Sequence, residues 1–290
     1  MFGYDWITQN LSPPAPSRRD IFVYGSYLGA SLAAALALTE TRPDERMAVR
    51  AAITFNGIYN WTTFLPDHPI NKVKDVPLSD LVLPDGGGPD FQAMKQRIPA
   101  LFTVPADLFD AFASPSLFFY TTGMTPPTDF SSSALPSSLV KAIDALSLGE
   151  PLGADGAQPG ADPKAPRKGY LAFPPRQSDL QIPEALLLHE TPPPPLLRRR
   201  GRTRPSKRKK PAENNFAAQA AELAGLMRRS VYKLEMRERL SESGGDADGW
   251  AVEADSRVRT EDVGEPGPGH VLSPSGEEAI REWLAERMDG

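Results

Sequence analysis

Four short apolar runs in the chain are continuous rather than alternating, which is the pattern of strands covered on both faces. Strands of this kind are typical of a parallel sheet with helices on each side. We predict them at residues 21–24 (IFVY), 51–55 (AAITF), 117–121 (LFFYT) and 185–189 (ALLLH).

Helical patterns follow these runs, so strands and helices alternate along the chain. Helices are predicted at residues 30–40, 91–98, 216–240 and 276–288. In the third of them, apolar residues recur at spacings of three and four from Phe216 to Leu234, as on one face of a helix. The alternating order predicts an α/β fold with a mainly parallel sheet and flanking helices.

The last predicted helix has both a start signal and an apolar stripe. Ser275 precedes it and Glu278 follows three residues later, which is the spacing of a capping box. The stripe that makes this helix amphipathic consists of Ile280, Trp283, Leu284 and Met288.

Other stretches of the chain do not have the composition of a packed core. Proline and glycine account for 31 and 23 of the 290 residues, so long segments must be irregular. Residues 149–168 are rich in Gly, Pro, Ala and Asp, and residues 241–269 are acidic and Gly-rich, so both are expected to be mobile. Residues 191–212 combine four successive prolines with nine Lys or Arg and no acid. That composition predicts an exposed, unstructured loop.

Composition also excludes several kinds of protein. A net charge of −5 and 40% apolar residues are ordinary for a soluble protein, and the lack of cysteine excludes disulfides and cysteine nucleophiles. The chain does not begin like a signal peptide, and its longest apolar stretch, residues 28–38, is about half of a bilayer span. A cytoplasmic location is therefore expected. Since no EF-hand, P-loop or dinucleotide pattern occurs, no metal or cofactor is predicted.

The basic run at residues 198–210 admits two interpretations. Its clusters RRR and KRKK resemble a bipartite nuclear-localisation signal, which would direct the chain to the nucleus. The alternative is a solvated insertion in an otherwise acidic chain. No aromatic residue interrupts the run, so base stacking is not indicated and nucleic-acid binding is not predicted.

The first strand enters a glycine turn and leaves as an alanine-rich helix, with the sequence GSYLGASLA from Gly25 to Ala33. This segment resembles the nucleophile elbow of α/β-hydrolases, in particular the hormone-sensitive-lipase and acetylesterase branch with its pattern G-D-S-A-G-G-N-L-A. Gly25, Gly29, Leu32 and Ala33 match that pattern. The elbow requires small residues two before and two after its centre. We therefore expect Tyr27 at the apex of the turn with an unfavourable or positive φ.

The centre of the elbow departs from the family. Tyr27 stands where the family has its catalytic Ser, and Ser26 stands at the Asp position. A phenol with a pKa near 10 is a poor acyl-transfer nucleophile. The resemblance further implies an acid after the next-to-last strand and a His after the last one. Asp129 and His189 are the candidates, although His189 ends its strand and is interpreted as a buried or rim histidine rather than a base.

The resemblance covers residues 1 to about 240 and looks most like a fungal branch of such proteins. The family's oxyanion glycines precede the elbow, but only 24 residues stand before Gly25, so the resemblance implies an N-terminally truncated hydrolase. The strand from Ile21 to Tyr24 is then expected to be a sheet edge, through which the chain associates with itself or is poorly stable.

The expected organisation has four parts: a hydrolase-like core at residues 1–190, the basic loop at 191–213, a helix completing the core at 214–240, and an acidic segment with the C-terminal helix at 241–290. Three hypotheses about function remain open. The first is a ligand- or partner-binding pseudoenzyme without serine hydrolase chemistry. The second is a carboxylesterase with a displaced nucleophile, using Ser26 or Tyr27 with His189 and Asp129. The third is an inert, truncated gene product.

Overall fold

The computed structural model describes residues 2–71, 89–130, 169–191, 214–236, 247–266 and 271–288. Within them the strands are β1 (Arg19–Ser26), β2 (Met47–Phe55), β3 (Tyr120–Thr121), β4 (Gly169–Tyr170), β5 (Glu184–His189) and β6 (Val258–Asp262). The α-helices are α1 (Phe2–Asn10), α2 (Leu28–Glu40), α3 (Pro89–Gln96), α4 (Ile98–Leu101), α5 (Phe216–Ser230), α6 (Ala247–Arg257) and α7 (Pro274–Met288). Short 3₁₀ helices cover Trp61–Phe64, Pro105–Phe109 and Pro115–Phe118.

The main sheet has four parallel strands in the order β1-β2-β5-β6. This arrangement confirms the predicted α/β fold with a mainly parallel sheet and flanking helices. It also confirms that β1, which contains Ile21 and Tyr24, is an edge strand of the sheet within the described residues.

Both faces of the sheet are buried, which explains the continuous apolar runs. Leu187 of β5 packs with Leu38 of α2 and Leu223 of α5 on one face. The neighbouring Leu186 and Leu188 point to the other face, where they join the cluster that contains Trp283 of α7. Alternate residues of one strand thus enter two different cores, so its central residues, 185–188, are all apolar.

The third predicted strand, at residues 117–121, is wrong. Residues Pro115–Phe118 form a 3₁₀ helix, and only Tyr120–Thr121 are extended, pairing antiparallel with β4 outside the main sheet. Pro115 stands at the first turn of that helix, where its fixed φ is favourable. Phe118 and Phe119 pack against Phe173. The centroid of the Phe173 ring lies 4.8 Å from that of Phe118 and 5.4 Å from that of Phe119.

The expectation that residues 241–269 are mobile is wrong for residues 247–262, which form α6 and β6. Strand β6 pairs in parallel with β5, placing Val258 opposite Ala185 and Asp262 opposite His189. Its sequence, VRTED, is too polar for an apolar run to reveal it. Within the described residues, strand β6 is at an edge of the main sheet, where backbone hydrogen bonds to β5 hold it. An edge strand of this kind needs apolar side chains on only one of its two faces.

Two helix boundaries also differ from prediction. Helix α5 begins at Phe216 as predicted, where the Asn215 side chain accepts a hydrogen bond from the Ala218 N–H (2.8 Å). It ends earlier than predicted, at Ser230, and a π-helix follows at Val231–Met236. Helix α7 begins at Pro274 rather than after Ser275, so the predicted capping box is wrong.

The hydroxyl of Ser273 accepts from the Gly276 N–H (3.2 Å) at the start of α7, while Ser275 donates to the Val263 carbonyl at the end of β6 (2.8 Å). Residues 149–168, 192–213 and 237–240 lie outside the described residues, and so do the predictions made for them. Among the described helices, none combines the length and apolarity needed to cross a membrane.

Candidate functional site

The turn between β1 and α2 has the strained backbone that the glycine pattern predicted. Tyr27 at its apex has φ 53° and ψ −115°, which confirms the expected positive φ. Its backbone N–H donates to the Phe55 carbonyl at the end of β2 (2.9 Å). A bulky residue in this region costs free energy, so the surrounding structure must hold it there.

The two glycines of the turn play different roles. A Cβ on Gly25 would lie 2.2 Å from the Gly29 carbonyl oxygen, because strand and helix backbones nearly touch there. A Cβ on Gly29 would meet nothing within 4 Å. The requirement for a small residue is thus confirmed at Gly25 and wrong at Gly29.

The Tyr27 hydroxyl lies in a polar cluster with apolar surroundings. It donates to Asp90 Oδ2 (3.2 Å) and accepts from Asn56 Nδ2 (3.4 Å), while its ring packs edge-on against Phe55 and Phe216. Burial raises the pKa of this phenol to about 12; the charges of Asp90 and Glu190 add to the rise and the hydrogen bond from Asn56 opposes it. The hydroxyl is therefore protonated at neutral pH and acts as a hydrogen-bond donor.

A second strained residue follows β2. Asn56 has φ 48° and is fully buried. Its Nδ2 donates to Glu190 Oε2 (2.8 Å), and the Glu190 N–H donates to its Oδ1 (2.9 Å). Tyr27, Asn56 and Glu190 thus follow the carboxyl ends of three adjacent strands and form one hydrogen-bonded row.

A cavity of about 280 Å³ opens beside this row. Ligands in open α/β sheets bind at this end of the strands. The lining combines apolar side chains with the Tyr27–Asp90 pair, Ser26 and Arg97. Its lining residues are Ser26, Tyr27, Leu28, Asp90, Ala93, Met94, Arg97 and Leu101. A mainly apolar pocket with a few convergent polar groups is the usual form of a small-molecule site.

The four site residues predicted from the sequence fall into two groups. Ser26 and Tyr27 line the cavity, whereas His189 and Asp129 are not among its described lining residues. Asp129 is exposed and follows β3, which is not part of the main sheet. Its expected place after the next-to-last strand of that sheet is therefore wrong, while a catalytic role for either residue stays a prediction.

His189 lies beside Asp262 of β6, which is its register partner. Burial lowers the pKa of His189, and the nearby carboxylate of Asp262 opposes this shift in part. Its Nδ1 is buried and has no hydrogen-bond partner among the described residues. This half-buried histidine at the rim of the sheet is thus neutral at pH 7.

Asp90, Asn56 and Glu190 were missed by the sequence reasoning. Asn56 and Glu190 come directly after apolar runs, so polar residues at strand ends were the available signal. Asp90 carried no comparable signal, because it stands 63 residues from Tyr27 and reaches it only through the position of α3.

Comparison with known proteins adds no relative: the chain matches no model of a protein family, and no curated protein or solved structure shows significant similarity to it. Among the described residues, no group of three His, Asp or Glu side chains converges to hold a metal ion. The resemblance to α/β-hydrolases accordingly stays a prediction from the glycine turn.

Proposed function

We propose that this chain is a hydrolase-like binding protein that takes a small ligand in the Tyr27 cavity and does not carry out serine hydrolase chemistry there. The observation that carries the proposal is the Tyr27 hydroxyl, which sits at the strained apex beside a cavity of about 280 Å³ and is held by Asp90 and Asn56. A strained residue that faces a cavity and is fixed by hydrogen bonds fits a binding role.

The protonation state of Tyr27 argues against acyl transfer. A nucleophile must lose its proton during attack, and a phenol whose pKa is raised to about 12 gives it up less readily than a free one. The hydroxyl already donates to Asp90. A carboxylate in that position favours the neutral phenol and resists formation of a phenolate beside it.

The lining of the cavity indicates the kind of ligand. Leu28, Met94 and Leu101 supply apolar walls, and Asp90 and Arg97 supply one charge of each sign. Arg97 is exposed, and its side chain forms no hydrogen bond or ion pair within the described residues. A small, mainly apolar molecule with one polar group matches this lining.

The test is saturation-transfer NMR with hexanol, hexylamine and hexanoate on the intact chain. We expect at least one of them to bind, and Ala93→Trp to abolish binding because the indole fills the cavity. Gln96→Trp is the matched control, since Gln96 is exposed on the same helix and does not line the cavity. Binding that survives Ala93→Trp, or none of the three binding to the parent chain, as expected of an inert gene product, would refute the proposal.

An esterase with Ser26 as nucleophile is the second candidate, because Ser26 lines the same cavity. A fluorophosphonate probe and short acyl esters separate the two functions. The binding proposal predicts no labelling and no hydrolysis by the parent chain. Labelling that disappears in Ser26→Ala would establish the esterase instead.

A further inference from the structure

A second cavity of about 240 Å³ lies beside the end of α5, and three cations line it. Arg229 belongs to the last turn of α5, Lys233 to the π-helix that follows, and Arg176 to the segment between β4 and β5. No acidic residue is among the described residues that line this cavity. It therefore carries three positive charges in a chain whose net charge is −5.

These three cations form no ion pair with an acidic side chain in the part of the chain that the structure describes. The adjacent Arg228 differs, since its Nε lies 3.0 Å from Asp255 Oδ1 and also donates to the Val258 carbonyl. Arg228 thus ties α5 to α6 and β6. Arg229, one residue later, lines the cavity and has no acidic partner among the residues that the structure describes.

The Arg229 side chain is held in a position from which it can bind an anion. Its guanidinium carbon lies 3.4 Å from the centre of the Tyr170 ring, so the planar group stacks on the aromatic face. Stacking occupies the face of a guanidinium and leaves its N–H edge free to donate. Lys233 stands four residues later on the same side of the helix. Both cations also offset the carbonyl end of α5, which by itself repels anions.

Apart from Ser230, the other residues that line the cavity are apolar or aromatic. Phe119, Leu171, Leu226 and Leu234 line it together with the cations. An anion alone would leave this apolar surface in contact with water. A ligand with a charged head and an apolar body satisfies both parts of the lining.

This cavity is distinct from the one at Tyr27. Helix α5 begins at Phe216, whose ring packs against Tyr27, and it ends at Ser230, which lines the second cavity. At about 1.5 Å per residue the helix separates its two ends by roughly 20 Å. Each cavity can therefore be filled or disabled without touching the other.

We propose that the second cavity binds a phosphate monoester that carries an apolar or aromatic group. Three cations without a carboxylate favour a dianion over a monoanion, and two guanidinium groups match the oxygens of a phosphate. The ester substituent packs on Leu226, Leu234 and the aromatic side. The inference is independent of the function assigned to the Tyr27 cavity.

Isothermal titration calorimetry on the intact chain tests the proposal with phenyl phosphate, hexyl phosphate, inorganic phosphate and benzyl alcohol. We expect one of the two esters to bind at least about tenfold more tightly than inorganic phosphate, since the apolar group adds buried area. A preference for phenyl over hexyl phosphate identifies a ring-bearing ligand, and the reverse preference a lipid-like one. Benzyl alcohol should not bind.

Charge-removing variants locate the site. Arg229→Gln and Lys233→Gln should each weaken ester binding by about tenfold, because each removes a charge-assisted hydrogen bond. Lys95→Gln makes the same charge change at an exposed position on α3 and should leave binding unchanged. Circular dichroism checks that the variants are folded, and Lys233, which is exposed, can be replaced with little risk to folding.

Three results would overturn the proposal: no binding of either ester, equal binding of inorganic phosphate and both esters, or an equal loss of affinity in Lys95→Gln. The last of these would show general attraction to positive charge rather than a site.

Discussion

Tyr27 and Asn56 share an unusual backbone conformation, and each directly follows a strand of the main sheet. Positive φ costs both residues free energy, which the structure recovers through the hydrogen bonds that their side chains make to Asp90 and Glu190. At the scale of single residues, the candidate site is therefore built where local strain and buried polar contacts coincide.

Gly25→Ala should lower the free energy of unfolding by more than about 3 kcal/mol. The new methyl group would meet the Gly29 carbonyl, and backbone atoms cannot move aside as a flexible side chain does. Urea denaturation measures the change.

Gly29→Ala provides the matched control for this prediction. Gly29 lies in α2 with open space around its Cβ position, so the substitution should leave stability unchanged or raise it by up to about 1 kcal/mol. A similar loss in both variants would contradict the close contact at Gly25.

His189 should make stability depend on pH near neutrality. Burial lowers its pKa in the folded state, so below about pH 6.5 the unfolded chain takes up a proton that the folded chain excludes. The parent chain should therefore lose stability relative to His189→Gln as pH falls from 7.5 to 5. Denaturation curves across that range measure the difference, and a constant difference would contradict the lowered pKa.

At the scale of elements, Trp283 and Arg287 make two of the contacts that hold α7 on the sheet. Trp283 is only 2% exposed and packs edge-on against Phe22 of β1, with centroids 6.3 Å apart. Arg287 stacks over the Trp283 ring and pairs with Glu184 of β5. One tryptophan and one arginine thus connect the last helix to two strands.

Trp283→Ala should lower the free energy of unfolding by about 3–5 kcal/mol, because it leaves a cavity and removes the surface on which Arg287 stacks. Met288→Ala, in the same predicted stripe, should change it by no more than about 0.5 kcal/mol, since Met288 is 74% exposed. Thermal unfolding compares the two variants. Equal effects would mean that α7 does not dock through Trp283.

At the scale of the whole molecule, β1 leaves one side of the sheet open within the described residues. Helices α1 and α2 cover one face of this strand, where Tyr4 and Leu36 belong to the same apolar cluster as Ile21 and Val23. These helices bury side chains and do not pair with the backbone at the outer side of β1. An edge of this kind can pair with a second copy of the chain.

Sedimentation velocity at tens of micromolar should therefore show association, and Tyr24→Lys should reduce it. Tyr24 is 53% exposed, so a lysine there adds an edge charge without emptying the core. Leu32→Lys is the control, because Leu32 is 54% exposed but belongs to α2 and not to the edge strand. A compact monomer in the parent chain, or equal effects of both lysines, would refute pairing through β1.

The sequence by itself determined the features that depend on neighbours along the chain. Apolar runs predicted β2 and β5 because strands buried on both faces are largely apolar, and the run IFVY predicted β1, which is only partly buried. The turn at Tyr27 was predictable because Gly25 can meet the start of α2 only if it has no side chain. Both signals are local, and they do not depend on the rest of the fold.

Only the tertiary structure decided which distant residues form the candidate site and which segment completes the sheet. Asn56 and Glu190 are 134 residues apart, and nothing in their immediate sequence indicates that they bond to each other. Strand β6 is too polar for its pattern to predict it, since its place depends on backbone pairing with β5. Backbone hydrogen bonds are available to every residue type, so a sequence pattern does not record where they form.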